Sequence, residues 1–261
     1  MNAKDALDLY DREMRRELPY FDAAVKLERE VAVVRLIGAT ADAMNNCVLY
    51  SSLDAAGAGA EIDRQIAYFN GLGRGFEWKY HDHDKPETLR ALLLERGFAP
   101  SEPETIMALD LAGRTPNYSA PAGYEVGPLA DAASLDPLME VQAAVWPGEK
   151  LDWLQDSLAR ERAARPDAIR FHAVCFEGKP VCVGWTRLHR SIAALYGGST
   201  LKEHRGKGLY RALVSSRLKE ARSRFGKSIA LTDAGPMSRP ILERLGFTPL
   251  TGTTPFLHQA P

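Results

Sequence analysis

Hydrophobic residues recur along this chain with two periods, and the alternation of these periods predicts the secondary structure. Short apolar runs such as Val31–Ile37, Cys47–Leu53 and Phe76–Tyr80 are typical of strands, whereas Glu61–Phe69 and Glu87–Glu95 have helical spacing. The same reasoning predicts further helices over 5–17, 138–146, 151–162 and 237–245, and further strands over 169–176, 181–190, 192–200 and 228–231. Strands interleaved with helices indicate an α/β chain with mixed sheets flanked by helices.

The clearest helix follows the strand at 192–200. Its apolar face is formed at helical spacing by Tyr210, Leu213, Val214, Leu218, Ala221 and Phe225. Its other face, which we expect to lie in solvent, carries Arg211, Arg217, Lys219, Arg222 and Arg224. Gly226 follows at the position where glycine commonly ends a helix. The pattern therefore predicts one buried face and one hydrated face.

A basic turn with two glycines, Arg205-Gly-Lys-Gly208, joins that strand to that helix. Its glycines allow successive backbone N–H groups to turn inward around an anion. The start of the helix adds unpaired N–H groups and the positive end of the helix dipole. Because Arg205, Lys207 and Arg211 add positive side chains, a phosphate or diphosphate fits this turn better than a single carboxylate.

Neither the dinucleotide-binding fingerprint nor the phosphate-loop motif is present, because the glycine spacing and the Lys-Ser/Thr pair are missing. Instead, Arg205-Gly-Lys-Gly208, its amphipathic helix and Ile241-Leu-Glu-Arg-Leu-Gly-Phe247 together resemble the GCN5-related N-acetyltransferase (GNAT) family over residues 124–256. Members carry Arg/Gln-x-x-Gly-x-Gly/Ala on the coenzyme-binding turn and a late Leu-Gly-Phe. The resemblance implies GNAT-like domains, each a mixed, mostly antiparallel twisted sheet flanked by helices, with a splayed central strand pair in the C-terminal domain.

The ligand that the resemblance implies is acetyl-coenzyme A, bound as a co-substrate. Its pyrophosphate would lie on the N–H groups of Gly206–Tyr210 and its pantetheine arm along Ser199–Leu201. The residues expected to bind it are Ser199, Thr200, Leu201, Arg205, Gly206, Lys207, Gly208, Leu209, Tyr210 and Arg211. Gly197-Gly198 fits a bulge or a close backbone approach, and a bend that serves packing alone is the alternative.

The chain departs from the family where proton transfer is expected. Many members carry a Tyr general acid on the helix before Leu-Gly-Phe, but Leu242 occupies the matching position, and an Asn often seen before that helix is replaced by Asp233-Ala-Gly235. Tyr196 and Asp233 are the candidate catalytic residues, with Ser238 a weaker third. The alternatives are a core aromatic for Tyr196, an N-cap of the following helix for Asp233 and a hydrated side chain for Ser238.

The two halves of the chain share one order of elements. Gly97-Phe98 and Gly246-Phe247 lie 149 positions apart, and the same offset places Gly57 and Gly59 beneath the glycines of the basic turn. We interpret this match as an internal duplication.

The first of the two turns lacks the charges of the second. At this offset Arg205, Lys207, Tyr210 and Arg211 are matched by Ala56, Ala58, Glu61 and Ile62. The carboxylate of Glu61 would repel a phosphate. We therefore interpret residues 1–112 as a degenerate GNAT-like domain that supports the second, 113–123 as a linker and 124–261 as the acetyl-CoA-binding GNAT domain.

Composition narrows the partners and the location. The net charge of −1 with scattered basic residues does not indicate nucleic-acid binding, and no apolar run approaches the length of a membrane span. Met1–Tyr20 is too charged for a signal peptide, and three cysteines are a sparse set, so we expect a cytoplasmic protein. Because a single chain already contains two similar domains, we expect the protein to be either a monomer or a homodimer.

Several other residues have a structural explanation beside a functional one. His81-Asp-His-Asp84 suits a metal ion by alternation on a strand, but a polar loop with Asp84 as a helix cap is preferred, and no metal site is expected. Trp146 and Trp153 line the acceptor site or belong to the core, and the loop Pro147–Glu149 lies where the family shapes its acceptor pocket. The strand residues His172 and His189 are interpreted as structural.

These features together predict an acetyl-CoA-dependent N-acetyltransferase acting on the amine of a small molecule. The tandem plan also resembles that of the mycothiol synthase group. The alternative is a non-catalytic acyl-CoA sensor or scaffold, which the missing Tyr and Asn favour. A nucleotide-phosphate module is a third interpretation.

Overall fold

The computed structural model describes residues 1–19, 22–113, 115–129, 134–148 and 151–260. Its helices are α1 (Ala3–Tyr10), α2 (Ala58–Gly71), α3 (Leu89–Glu95), α4 (Asp136–Val145), α5 (Asp152–Ala164), α6 (Leu209–Ser223) and α7 (Arg239–Arg244). Its strands are β1 (Lys26–Arg29), β2 (Val33–Ile37), β3 (Asn46–Ser51), β4 (Phe76–His81), β5 (Ala99–Pro100), β6 (Glu104–Asp110), β7 (Tyr124–Pro128), β8 (Ile169–Phe176), β9 (Lys179–His189), β10 (Ile192–Thr200), β11 (Ile229–Ala234) and β12 (Thr248–His258). A π-helical stretch over Asp11–Arg16 continues α1.

The chain forms two compact units. The first comprises Met1–Ile106 together with the C-terminal segment from Leu250, and the second comprises Met107–Pro249. The end of β12 therefore belongs to the first unit although it follows the second unit in sequence. The predicted division into 1–112, 113–123 and 124–261 stays a prediction, and one residue of that linker, Arg114, lies outside the described residues.

The first unit is a mixed sheet with helices packed on it. β1 pairs with β2 and β2 with β3 in antiparallel fashion, β3 and β4 are parallel, and β4 pairs with the end of β12 in antiparallel fashion. Its core joins Ile62 and Phe69 of α2 to Trp78 of β4 and Phe256 of β12, all at most 1% exposed. Phe69 stacks on Phe76 with 4.3 Å between ring centroids. Burial of each such side chain stabilises the fold by about 1.5–3 kcal/mol.

The second unit is a sheet in the order β6-β11-β10-β9-β8-β7. From β7 to β10 the neighbours are antiparallel, whereas β10 and β11 are parallel. A cluster that includes Val214 of α6 and Leu242 of α7 covers Leu195 of β10. A separate cluster contains residues of α4 and α5 together with Phe171 of β8 and Trp185 of β9. Helices thus flank this sheet, which confirms the predicted fold class.

One prediction about α6 is wrong. Arg217 was expected in solvent, but its side chain is buried, only 1% exposed, while the other four basic residues of that face are exposed. A guanidinium group avoids the cost of burial only if polar groups surround it. The polar groups that surround Arg217 belong to the central strands of the second unit.

Within the described ranges, none of the helices is both long and apolar enough to cross a membrane.

Candidate active site

The turn between β10 and α6 holds both of its glycines in the left-handed region. The backbone angle φ is +76° at Gly206 and +81° at Gly208, conformations that favour glycine. Gly208 precedes α6 without a capping side chain, and the first turn of the helix has no acidic residue. No described residue accepts a hydrogen bond from the amides of Gly206–Arg211. These amides form a positive cradle that suits an anion.

Three exposed cationic side chains surround this cradle. Arg205 Nε donates a hydrogen bond of 3.0 Å to a backbone carbonyl at the end of β10. Lys207 Nζ donates one of 3.1 Å to the hydroxyl of Tyr124, and the guanidinium of Arg211 lies 5.3 Å from the ring centroid of Tyr118. Among the described residues no carboxylate pairs with any of the three, so their charges remain available to an anionic ligand.

β10 and β11 part before they reach this turn. Their parallel pairing ends at Ala194 and Leu231, although β10 continues to Thr200 and β11 to Ala234. Against its other neighbour, β9, strand β10 has a register shift between residues 196 and 199. The predicted splayed strand pair and bulge are therefore present, and we call the space between the unpaired ends of β10 and β11 the cleft.

The two consecutive glycines of β10 serve both the bulge and the packing. Gly197 has φ of +61°, and a Cβ there would overlap the ring of Trp185. A Cβ on Gly198 would lie 2.5 Å from Cε2 of Tyr210. Any side chain at either position would push the bulge away from β9 or from α6.

The side chains expected along the pantetheine arm are held by the protein itself. Ser199 is buried, and its hydroxyl donates 3.0 Å to Oε1 of Gln142 and accepts from Nε1 of Trp146 at 3.3 Å. The Thr200 hydroxyl donates to Sγ of Cys182 at 3.1 Å. A ligand along this strand would therefore meet backbone groups rather than free hydroxyls.

Tyr196 lies on β10 two residues beyond the last residue that pairs with β11, and it is still paired with Trp185 of β9. Its ring is half-buried and packs on the same cluster as α4 and α5, stacked on Trp185 with 6.4 Å between centroids. Burial raises the pKa of Tyr196, Arg187 lowers it, and the charge of Asp233 raises it further. The alternative that Tyr196 is a core aromatic therefore holds only in part. Its ring packs against the α4 and α5 cluster, but the side chain remains half-exposed.

Asp233 lies on the parted end of β11 with an exposed side chain. The structure does not support the alternative that Asp233 caps the next helix, because α7 begins at Arg239 and its N-cap, Ser238, receives no side-chain cap. The Ser238 hydroxyl donates to the carbonyl of Gly235 at 3.3 Å. Tyr196 and Asp233 therefore stand on the two strands that border the cleft, and the charge of Asp233 contributes to the raised pKa of Tyr196.

Leu242 is fully buried between α7 and the sheet. The position that carries a Tyr acid in many GNAT proteins is therefore part of the core here. Sequence reasoning also missed a buried ion pair beside Tyr196, in which Arg187 Nε binds Oε2 of Glu161 at 2.9 Å. Its only sequence signal was a carboxylate on the apolar side of α5.

Two tryptophans lie on the α4 and α5 side of this region. Trp146 follows α4 and is 53% exposed, and Trp153 of α5 is half-buried. Trp146 reaches β10 through the hydrogen bond to Ser199. Neither indole is fully buried, and Glu149 of the predicted pocket loop lies outside the described residues.

The turn at Gly57 in the first unit has a different conformation. Gly57 has φ of −92° and is the N-cap of α2, so Gly59 lies inside the helix rather than at its entrance. The Gly57 amide donates to Oδ1 of Asp54 at 2.7 Å, and Glu61 stands in the first helical turn. The offset that aligns the glycines therefore does not align their backbone conformations. The Asp54 side chain thus already accepts the hydrogen bond that one backbone amide of this turn could offer to a ligand.

The histidines singled out by sequence are in hydrogen-bonded networks. His83 lies 2.8 Å from Asp11 and 2.9 Å from Thr251, while the backbone N–H of His81 donates to Asp84 at 2.9 Å. The part of the chain that the structure describes contains no group of three or more side chains arranged to hold a metal ion.

His172 of β8 is buried among charged groups. Burial, followed by the guanidinium groups of Arg217 and Arg170, lowers the pKa of His172 to about 3. Glu220 lies 3.2 Å from its Nε2, which favours the protonated ring, but the same carboxylate is also 3.2 Å from Arg170. We therefore expect a neutral imidazole with a structural role.

A scan against protein-family models gives no match to the chain, and a search of curated proteins gives no significant match. Solved structures do match. The chain superimposes with a TM-score of 0.68 and 17% identity on a GCN5-related N-acetyltransferase from Kribbella flavida, covering 99% of this chain and 95% of that one. It matches a tandem GNAT protein from the clavulanic acid biosynthesis pathway with a TM-score of 0.63 and 15% identity, covering 92% of this chain and 85% of that one. A GCN5-related N-acetyltransferase from Sphaerobacter thermophilus matches with a TM-score of 0.65 and 11% identity, covering 100% of this chain and 86% of that one.

In the second unit a parallel strand pair parts and leads into a glycine-rich turn at the start of a helix, an arrangement that suits an anion. The solved structures make the assignment specific: the chain has the fold of the GCN5-related N-acetyltransferases over both of its units, as in a tandem GNAT protein.

Proposed function

We propose that this protein transfers the acetyl group of acetyl-coenzyme A to the amine of a small molecule. The observation that carries the proposal is the row of unpaired amides at Gly206–Arg211, placed directly beyond the parted end of β10. A diphosphate needs several N–H donors and positive charge at one point, and a thioester arm needs a cleft beside it. Both are supplied by one continuous strand, turn and helix.

The binding residues follow from this placement. The amides of Gly206–Tyr210 hold the pyrophosphate, with Arg205, Lys207 and Arg211 as mobile counter-charges. The backbone of Ser199–Leu201 lines the pantetheine arm, because the hydroxyls of Ser199 and Thr200 already have protein partners. GNAT proteins with this fold support the choice of acetyl-CoA.

Two residues at the cleft are proposed to handle protons. Bound acetyl-CoA would supply the activated acetyl group. The amine that receives it must lose a proton, and the departing thiolate must gain one. Tyr196 holds a phenol proton on the β10 side, and Asp233 offers a carboxylate on the β11 side that makes no ion pair within the described residues. We assign Tyr196 as the proton donor and Asp233 as the group that holds the cationic amine and accepts its proton.

The remaining assignments are proposals of the same kind. The first unit is a degenerate GNAT-like domain, since Glu61 stands at the entrance of α2 and Asp54 occupies the Gly57 amide. The three free cysteines suit the cytoplasm. The partners are acetyl-CoA and a small-molecule amine, and the chain acts as a monomer or homodimer.

The test is thermal unfolding with and without excess acetyl-CoA. A ligand that binds only the folded state adds about 2.7 kcal/mol at a hundredfold excess over its dissociation constant, which raises the unfolding temperature by several degrees. Arg205→Ala combined with Gly208→Glu removes a cation and places a carboxylate on the cradle, so the rise should disappear. Gly59→Glu is the matched control, because its side chain would meet only the flexible end of Arg96. It should leave the rise intact.

Other outcomes point to the alternatives. Equal loss in both variants would contradict the degenerate role of the first turn. A rise with acetyl-CoA but no amine-dependent release of free thiol would indicate a sensor or scaffold. An equal rise with ADP would indicate a nucleotide-phosphate module.

A further inference from the structure

Two buried polar side chains meet at the bulge of β10. Arg217 of α6 is 1% exposed and Gln142 of α4 is 3% exposed. In the second unit α6 packs on residues such as Cys182 and Leu195, whereas α4 packs on Val183 and Trp185. Because neighbouring strand residues face opposite sides, the two helices lie on opposite faces of the sheet. The bulge is therefore contacted from both faces.

Arg217 links the two strands that flank the register shift. Its Nη2 donates to the carbonyl of Tyr196 on β10 at 3.1 Å and also to the carbonyl of Trp185, its partner on β9. Its Nε donates to the hydroxyl of Thr186 at 2.9 Å. A Cβ on Gly184 would lie 2.8 Å from Nη1, so glycine is needed there to admit the guanidinium group. All three of these acceptors belong to the bulge region.

Gln142 holds the next peptide from the other face. Its Nε2 donates to the carbonyl of Gly197 at 2.6 Å, and its Oε1 accepts from the hydroxyl of Ser199 at 3.0 Å. Trp146, one turn further along, donates to the same hydroxyl at 3.3 Å. The amide of Gln142 thus spans both ends of the bulge and satisfies groups that the strand ladder leaves free.

These contacts fix the direction of one backbone N–H group. The Leu195 carbonyl accepts from Thr232 of β11, and the Tyr196 carbonyl is held beside the Trp185 carbonyl of β9. In a trans peptide the N–H points opposite to the C=O. The Gly197 N–H therefore points away from β9, toward the side where β11 has parted from β10.

We propose that Arg217 and Gln142 are positioning residues that hold the β10 bulge from the two faces of the sheet, so that the Gly197 N–H faces the cleft where the acetyl carbonyl would lie. This inference rests on the proposed function. An N–H donor fixed in this way stabilises the negative charge that develops on a carbonyl oxygen under attack. Neither side chain touches a reacting atom.

The charge of Arg217 supports the same role. It makes no ion pair with a described carboxylate, its hydrogen-bond acceptors are two carbonyls and a hydroxyl, and Glu220 lines the same small cavity. Burial lowers the pKa of Arg217 to about 10, which leaves the guanidinium protonated at neutral pH. A buried cation beneath the bulge that is not ion-paired adds positive potential to the cleft.

The test uses two substitutions with matched controls. Arg217→Lys keeps the charge but not the planar fork that spans three acceptors, and Gln142→Leu removes both hydrogen bonds at similar volume. Arg222→Lys on the exposed face of α6 and Gln155→Leu on α5 are the controls. The first readout is hydrogen exchange of residues 195–201 in the ligand-free protein. We expect about tenfold faster exchange in the two test variants and no change in the controls.

The second readout is steady-state kinetics of amine-dependent thiol release. The value of kcat should fall about tenfold in each test variant, while KM for acetyl-CoA should stay within about twofold because the cradle at α6 is intact. If Arg217→Lys fails to fold, Gly184→Ala displaces the same guanidinium without removing it. Unchanged hydrogen exchange of residues 195–201 in the folded test variants overturns the inference, regardless of whether acetyl-CoA binds or reacts. Absence of binding by the unmodified protein instead overturns the proposed function.

Discussion

At the scale of single residues, the surroundings of Tyr196 favour the protonated form of its phenol. Burial raises its pKa above the ordinary value of 10.0, and this effect and that of Asp233 outweigh the opposing effect of Arg187, whose guanidinium lies 4.9 Å from the ring centroid. A group with a raised pKa is protonated at every pH below that value. Under the proposed function, Tyr196 would therefore keep the proton that it donates across the neutral and mildly alkaline range.

Tyr196→Phe should lower kcat by about a hundredfold, because the donor to the thiolate is lost. The ring still packs on Trp185, so KM for acetyl-CoA should change little. The rate of the unmodified protein should show no loss assigned to this group below about pH 10. Thiol release measured against pH checks both points. Retention of kcat by Tyr196→Phe together with its loss in Asp233→Asn would transfer the role to Asp233.

At the scale of elements, the start of the chain fills the parted strands of the first unit. β3 and β4 pair in parallel only at Cys47–Glu77 and Val48–Trp78, so they separate as β10 and β11 do. Arg15, on the π-helical continuation of α1, donates to the carbonyl of Leu49 at 3.2 Å and binds both oxygens of Asp84 at 2.8 and 2.9 Å. It is 1% exposed. The buried guanidinium group of Arg15 thus occupies the position that a cleft between β3 and β4 would have.

Asp84→Asn should destabilise the protein at neutral pH by about 3 kcal/mol, because Arg15 loses a buried charged partner. Burial alone would raise the pKa of Asp84, but the hydrogen bond from His81 and the charge of Arg15 lower it. Its stabilising effect is therefore complete above the ordinary carboxyl pKa of 3.8 and is lost as the pH falls through the lower folded value.

Urea unfolding at pH 7 and at pH 3 checks this prediction. The difference between Asp84→Asn and the unmodified chain should shrink at the lower pH. Asp63→Asn is the control, because that exposed partner of Arg96 should contribute less than about 1 kcal/mol. A difference that is independent of pH would show that the charge of Asp84 is not what holds Arg15.

At the scale of the whole molecule, the C-terminal segment completes the first unit. Residues 253–258 of β12 pair with β4 in antiparallel fashion, with Phe256 opposite Trp78. Phe256 is fully buried in the core that α2 and α3 also line. The first unit therefore needs residues from both ends of the chain.

A chain that ends at Pro249 should leave the first unit unfolded, since loss of Phe256 alone removes about 3–5 kcal/mol of core packing and β4 loses its neighbour. Hydrogen exchange should show lost protection in β3 and β4 and retained protection in β8–β10. A chain that ends at His258 is the control and should resemble the full chain. Full protection of β4 in the shorter chain would contradict the role of β12.

Local sequence patterns were enough for most elements and for the position of the anion turn. The periodicity of apolar residues is a local property, so β10, α6 and their order along the chain followed from it, within a few residues at their ends. The left-handed angles at Gly206 and Gly208 also follow locally, because only glycine adopts them at little cost. β1, β6 and β7 were not among the predicted strands. The apolar patterns of β1 and β7 are short and interrupted by polar residues or glycine, whereas β6 carries the apolar run Ile106–Leu109 and could have been predicted.

By itself the sequence determined the class of fold, the strand, turn and helix that form the anion cradle, and the loss of charge at the first turn, all of which depend on neighbours in the chain. Only the tertiary structure decided the burial of Arg217, the hydrogen bonds of Ser199 and the place of Phe256. These depend on the register between strands far apart in sequence. A polar residue is buried only where distant residues supply its partners, and no local pattern records that meeting.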